Sequence, residues 1–147
     1  MNELDISVRN YLYGRFVEQG RPPRVDTVSK ELALRKSEVE AAFRRLHDAH
    51  ALVLEQNTLE IRMLSPFSCV PSAWRVHAAG HTWYSNCAWD SLAVCAALHA
   101  DGRIEASCAD CGEPIEVEVR DRQAIPDEHL FHVLVPARHW WDDIVFT

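Results

Sequence analysis

The apolar pattern of this chain changes period partway along, and that change limits the fold more than any single motif does. Leu4, Val8, Tyr11, Leu12 and Phe16 recur at helical spacing, and the run stops at Gly20 with Pro22-Pro23 behind it. A second, short helix fits Asp26 to Leu34, with Val28 and Leu32 inward. A third begins at Ser37, whose hydroxyl caps it while Glu40 completes a capping box, and Val39, Phe43 and Leu46 form its apolar stripe. The period then drops to that of strands: Leu52-Val53-Leu54 and Leu59 to Met63 flank the turn-forming Glu55 to Thr58. Three helices followed by a hairpin predict a winged helix-turn-helix module over residues 1–64.

Ser65 to Pro71 reads as a linker, with two prolines and no helical period. Beyond it, Trp74 to His77 and His81 to Tyr84 predict a hairpin through Ala78-Ala79-Gly80. The Ala-rich stretch from Cys87 to about His99 is apolar nearly all round and is expected to be a central helix. Arg103 to Ser107, Ile115 to Arg120 and Leu130 to Val135 read as strands. The expected fold class is α+β: the winged-helix module packed on a small antiparallel or mixed sheet domain, residues 65–147, that encloses this helix.

The formal charge of −7 is uneven. Residues 1–64 carry ten basic and ten acidic side chains, and residues 65–147 carry five and twelve. Neither part has the cationic footprint that phosphate binding needs. The Ser37 helix does carry Arg44 and Arg45, but Glu38, Glu40 and Asp48 share it, so a packing role is expected and nucleic acid is not an expected partner. No apolar run approaches the roughly 18 residues of a membrane span, and the polar start is no signal peptide, so a soluble cytoplasmic protein is expected; a monomer is expected as well. Five cysteines without an export signal argue for reduced thiols.

Chemistry concentrates in Asn86-Cys87-Ala88-Trp89-Asp90, where a helix is expected to begin. Spacing of i and i+3 puts the thiol and the carboxylate on one face, and a helix N-terminus favours thiolate over thiol. On spacing alone each residue also has an ordinary explanation: Cys87 as a small buried residue and Asp90 as a first-turn carboxylate. Trp89 is expected to face the core. Cys95 falls two turns beyond Cys87, about 12 Å along the axis, too far to share a metal ion and so a core residue. Cys108-Ala109-Asp110-Cys111-Gly112 has the shape of half a zinc ribbon. A structural zinc needs a second pair; His129 and His132 sit three apart on an expected strand and point to opposite faces. The expectation is therefore no zinc at Cys108 and Cys111. Cys69 reads as a packed loop residue.

The Cys-Ala-Trp-Asp run resembles that of the organomercurial (alkylmercury) lyases. Further landmarks follow in the family's order: Pro66-Phe67-Ser68 with Val70-Pro71, Trp83-Tyr84, Arg103-Ile104-Glu105 leading to Ser107-Cys108, and Val135-Pro136 before Trp140 to Ile144. The similarity covers roughly residues 60–147 and, more weakly, the N-terminal part, where family members carry a similar module without being repressors. It implies that Cys87 and Asp90 are catalytic, that Cys87 binds mercury, and that the position of Cys108 is structural; Cys111 matches no position with a role. The family's second catalytic cysteine follows the Trp140 to Ile144 block and a short strand. The sequence to Thr147 stops just before that position, which is compatible with a continuation that carries the thiol or with its loss.

The activity implied is protonolysis of a carbon–mercury bond, with an organomercurial small molecule as substrate. Mercury is substrate and product, so no cofactor is expected. The acceptor of Hg(II) would be a cellular thiol or a mercuric reductase, and Phe67, Trp83 and Trp140 would line the apolar pocket. Cys108 and Cys111 are the minor candidates for holding mercury. The rival reading is a non-enzymatic thiol module that binds or senses mercury or another soft metal.

Overall fold

A computed structural model describes residues 1–108, 110–126, 128, 130, 133 and 135–145. The chain divides into two compact units, Met1–Ser72 and Ala73–Thr147. The first holds α1 (Glu3–Gln19), α2 (Val25–Glu31), α3 (Lys36–Asp48), β1 (Val53–Leu54), β2 (Ile61–Leu64) and β3 (Phe67–Ser68). The second holds β4 (Trp74–Ala78), β5 (His81–Ser85), α4 (Ala88–Leu98), β6 (Gly102–Ser107), β7 (Pro114–Arg120), β8 (Gln123–Ile125) and a 3-10 helix, Ala137–Asp142. Helices first and antiparallel strands after make the class α+β. The strand expected over residues 130–135 falls largely outside the described residues, as His129 and His132 do wholly.

In the first unit the apolar stripes converge as their spacing predicts: Val8, Leu12, Val28, Val39, Phe43 and Leu46 are all fully buried. Phe67 closes that core, its ring centroid 5.2 Å from that of Phe16. The segment read as a linker thus contributes a short strand, pairing Phe67 with Leu64 and Ser68 with Met63. The start of α3 differs from expectation. The helix begins at Lys36, and Glu38, not Glu40, reaches back to accept the Arg35 N–H at 2.9 Å. Ser37 is already inside the first turn, so its hydroxyl does not cap the helix. The Arg35 guanidinium also bonds Glu38, at 2.9 Å, and this fork fixes the earlier start.

A buried carboxylate is the second surprise of this unit. Asp5 completes a capping box with Asn2 and accepts a fork of bonds from Arg45, the shortest 2.6 Å. The Arg45 guanidinium holds the Asp5 carboxyl below the ordinary carboxylate range, against the opposing effect of burial. On α3, Lys36 pairs with Asp26 at 2.9 Å, so two of its cations are committed to intramolecular pairs. Replacing Asp5 by Ala removes a cap and one partner of a fork; because Arg45 is 41% exposed and can turn to water, the expected loss is about 2 kcal/mol. The sign with pH follows from the lowered pKa. The contribution is present above the unfolded carboxylate pKa of about 3.9 and disappears as pH falls toward the folded value. Urea melts at neutral and acid pH check this: the gap between parent and Asp5→Ala should close in acid.

In the second unit the strand order is β5-β4-β6-β7-β8, with every neighbour antiparallel. Ala79 and Gly80, both at positive φ, form the two-residue turn of the β4–β5 hairpin. One cross-strand row, Trp83, Val76 and Ile104, is almost fully buried, and the strands that carry it are those on which α4 packs. Gly102 permits that approach. A Cβ there would lie 2.8 Å from the Cys95 sulfur and 2.8 Å from the His77 carbonyl oxygen. Only Ser91, Val94 and Cys95 of α4 are buried, while Leu92 is 39% and Trp89 60% exposed. Trp89 therefore does not face the core, contrary to expectation: it is two positions from Ser91, about 200° round the helix. The sheet supports α4 along one face and does not enclose it.

Candidate active site

The backbone turns from β5 into α4 at Ser85-Asn86-Cys87, and Cys87 occupies the N-cap position with extended torsions, φ −154° and ψ 179°. Two buried serines fix this corner. Ser91 Oγ donates to the Cys87 carbonyl oxygen at 2.9 Å, Ser85 Oγ reaches the same oxygen at 3.3 Å, and the two hydroxyls are 2.7 Å apart. Both side chains are fully buried, so this polar pair is satisfied internally and locks the carbonyl of the thiol-bearing residue. Asn86 fixes the other group, its Nδ2 donating to Asp90 Oδ2 at 3.1 Å. Ser85, Asn86 and Ser91 escape a sequence reading aimed at reactive groups. Only the i to i+4 spacing of Asn86 to Asp90 and of Cys87 to Ser91 hints at them.

Cys87 and Asp90 are brought together, half-buried, with their side chains interacting. The expected depression of the thiol pKa is overturned. Burial pushes the Cys87 thiol up and the Asp90 charge adds to that; the amides of Trp89 and Asp90, aimed toward the sulfur without closing a capping bond, oppose it. Burial likewise raises the Asp90 carboxyl, with the Asn86 and Cys87 hydrogen bonds pulling the other way. The result is a thiol that keeps its proton next to a carboxyl with increased proton affinity. Such a pair suits a ligand that itself displaces a thiol proton, as a soft metal does.

The other thiols differ. Burial pushes the Cys69 thiol up to about 12 and raises that of Cys95, so both are packed residues, as expected. Cys108 is the exception: the amides of Cys111 and Asp110 and the Cys111 thiol favour its thiolate and lower its pKa. Among the described residues no cluster of three or more His, Cys, Asp or Glu is arranged to hold a metal ion. The Phe67 ring lies against that of Phe16, and Trp83 donates its indole N–H to the Ala78 carbonyl at 3.1 Å. Trp140 donates to the Val135 carbonyl at 2.7 Å.

No curated protein matches the chain. Among solved structures, the mercury-bound form of MerB2 superposes with a TM-score of 0.69 at 24% sequence identity, covering 86% of this chain and 62% of that one. This likeness establishes a shared fold, with the present chain spanning under two thirds of that protein's length. A family model described as "MerB: Alkylmercury lyase" matches residues 67–147, more than half of the chain and the whole of the α4 corner. No helix of the described residues is long and apolar enough to cross a membrane. By the extent of that match, the chain belongs to the alkylmercury lyase family.

Proposed function

We infer that this chain cleaves carbon–mercury bonds by protonolysis, with Cys87 as the mercury-binding thiolate and Asp90 as the proton carrier. The observation that carries the reading is the paired burial of the two groups at the start of α4, each clamped by its own neighbour. A second feature supports it. Serine, threonine, aspartate or asparagine at an N-cap would hold an orphan amide, yet this position carries a cysteine that closes no capping bond. A local rule of helix stability is set aside where a reactive sulfur is wanted.

The steps balance as follows. An organomercurial R–Hg–X exchanges X⁻ for the Cys87 sulfur, and the thiol proton passes to the Asp90 carboxylate. The carboxylic acid then returns that proton to carbon; the electron pair of the carbon–mercury bond forms the new C–H bond, R–H leaves, and Hg(II) stays on sulfur. The raised proton affinity of Asp90 favours its capture of the thiol proton. Asn86 positions the carboxyl, and the serine pair positions Cys87.

A second thiolate on mercury raises electron density at carbon, and a small added thiol can supply it. For the 147-residue chain, benzene release from phenylmercury acetate, followed by gas chromatography, should rise at least about tenfold with excess monothiol, equivalent to ~1.4 kcal/mol of barrier. Mercury retained without any benzene, at every thiol concentration, would establish the binding-module reading instead.

A further inference from the structure

We propose that Cys108 and Cys111 form a second mercury site, a dithiolate that takes Hg(II) released at Cys87 and presents it to solvent thiols. The hand-off rests on the lyase reading; binding of Hg(II) by the pair does not. The turn that carries the pair is well defined at both ends. Cys108 N–H donates to the Glu113 carbonyl at 2.8 Å, and Gly112 N–H donates to the Cys108 carbonyl at 2.9 Å, with Gly112 in the left-handed region at φ +76°. That closure brings the Cys111 side chain and amide onto the Cys108 sulfur. Cys108 is half-buried and Cys111 exposed, so the pair is accessible, unlike the buried Cys95.

The chemistry of the donor set selects the ligand. Two thiolates with no third His, Cys, Asp or Glu among the described residues do not make the four-ligand shell of a structural zinc. They do match a soft ion that is satisfied by two sulfurs, of which Hg(II) is the extreme case. Binding is balanced as Hg(II) plus two thiols giving the bis-thiolate and two protons.

Strand register places the pair at the same end of the sheet as the Cys87 corner. Trp74 of β4 is opposite Ser85, two residues before Cys87, and Arg75 of β4 is opposite Glu105, three residues before Cys108. The end of β5 and the end of β6 therefore emerge at the same edge of the sheet, two strand spacings apart, on the order of 10 Å.

The test uses Hg(II) chloride and the reduced 147-residue chain, in a Cys87→Ser background so that no step of the lyase reaction is needed. After equilibration with millimolar glutathione, retained mercury is counted by native mass spectrometry. Cys87→Ser should hold one Hg(II) per chain, because chelation makes the second Hg–S bond intramolecular. Adding Cys111→Ser, an exposed position whose loss leaves the circular dichroism unchanged, should reduce retention by at least about tenfold. Equal retention with and without Cys111 overturns the proposal, as does zinc held at one per chain against the same thiol. Either result leaves the lyase reading untouched.

Discussion

Cys87→Ser is expected to lower benzene release from phenylmercury by at least about 10³-fold, the scale on which loss of a covalent nucleophile acts. The same change should leave the protein folded, and for a specific reason. Position 87 is the N-cap of α4, and serine is among the preferred N-cap residues, whereas the cysteine closes no capping bond there. The Ser91 and Ser85 bonds run to the backbone carbonyl of residue 87 and survive the substitution. The melting temperature should therefore hold or rise slightly while activity disappears. Thermal unfolding beside gas chromatography checks both halves; a variant that cleaves at the parent rate would remove Cys87 from the mechanism.

Asp90→Asn should cost about 10² to 10⁴ in turnover, the range for loss of a general acid, while mercury binding through Cys87 persists. Its effect on stability has the opposite sign to that of Asp5. Burial raises the folded pKa of Asp90 above its unfolded value, so the native state holds the proton more tightly. The stability linked to this group is present at low pH and is lost as pH rises through the folded pKa. At neutral pH the neutral amide avoids the half-buried charge, and Asp90→Asn should be as stable as the parent or more so. Two carboxylates of one small protein are thus predicted to respond in opposite directions. Asp5 stabilises when ionised because Arg45 faces it, and Asp90 carries a cost when ionised because burial outweighs its hydrogen bonds.

What the sequence made legible was whatever depends on local period and turn chemistry. The stripe from Val8 to Phe16, the Val39, Phe43 and Leu46 face, and the alternation through Ile115 to Arg120 all fold as their spacing implies. Contacts made across the chain were not legible. Nothing around Asp5 reveals that its partner is Arg45, 40 residues on. The two-residue β3 and three-residue β8 exist only because neighbouring strands offer them a register. An inward Trp89 is the expectation from sequence, but the inward face of α4 is set by Ser91, whose hydroxyl meets Ser85, and by Cys95 against Gly102. At the site, the Cys-Ala-Trp-Asp run gave the pair and its spacing. The balance of burial against amide dipoles, which decides the state of the thiol, required the three-dimensional surroundings.

In the proposed mechanism Asp90 delivers the proton that breaks the carbon–mercury bond while Cys87 holds the metal. Single-turnover reaction of phenylmercury with the parent and with Asp90→Asn, in the same buffer thiol, measures this directly when benzene and protein-bound mercury are counted in the same sample. The parent should release about one benzene per phenylmercury bound. Asp90→Asn should bind phenylmercury with benzene release slowed at least about a hundredfold. Benzene appearing at the same rate in both proteins would contradict the mechanism.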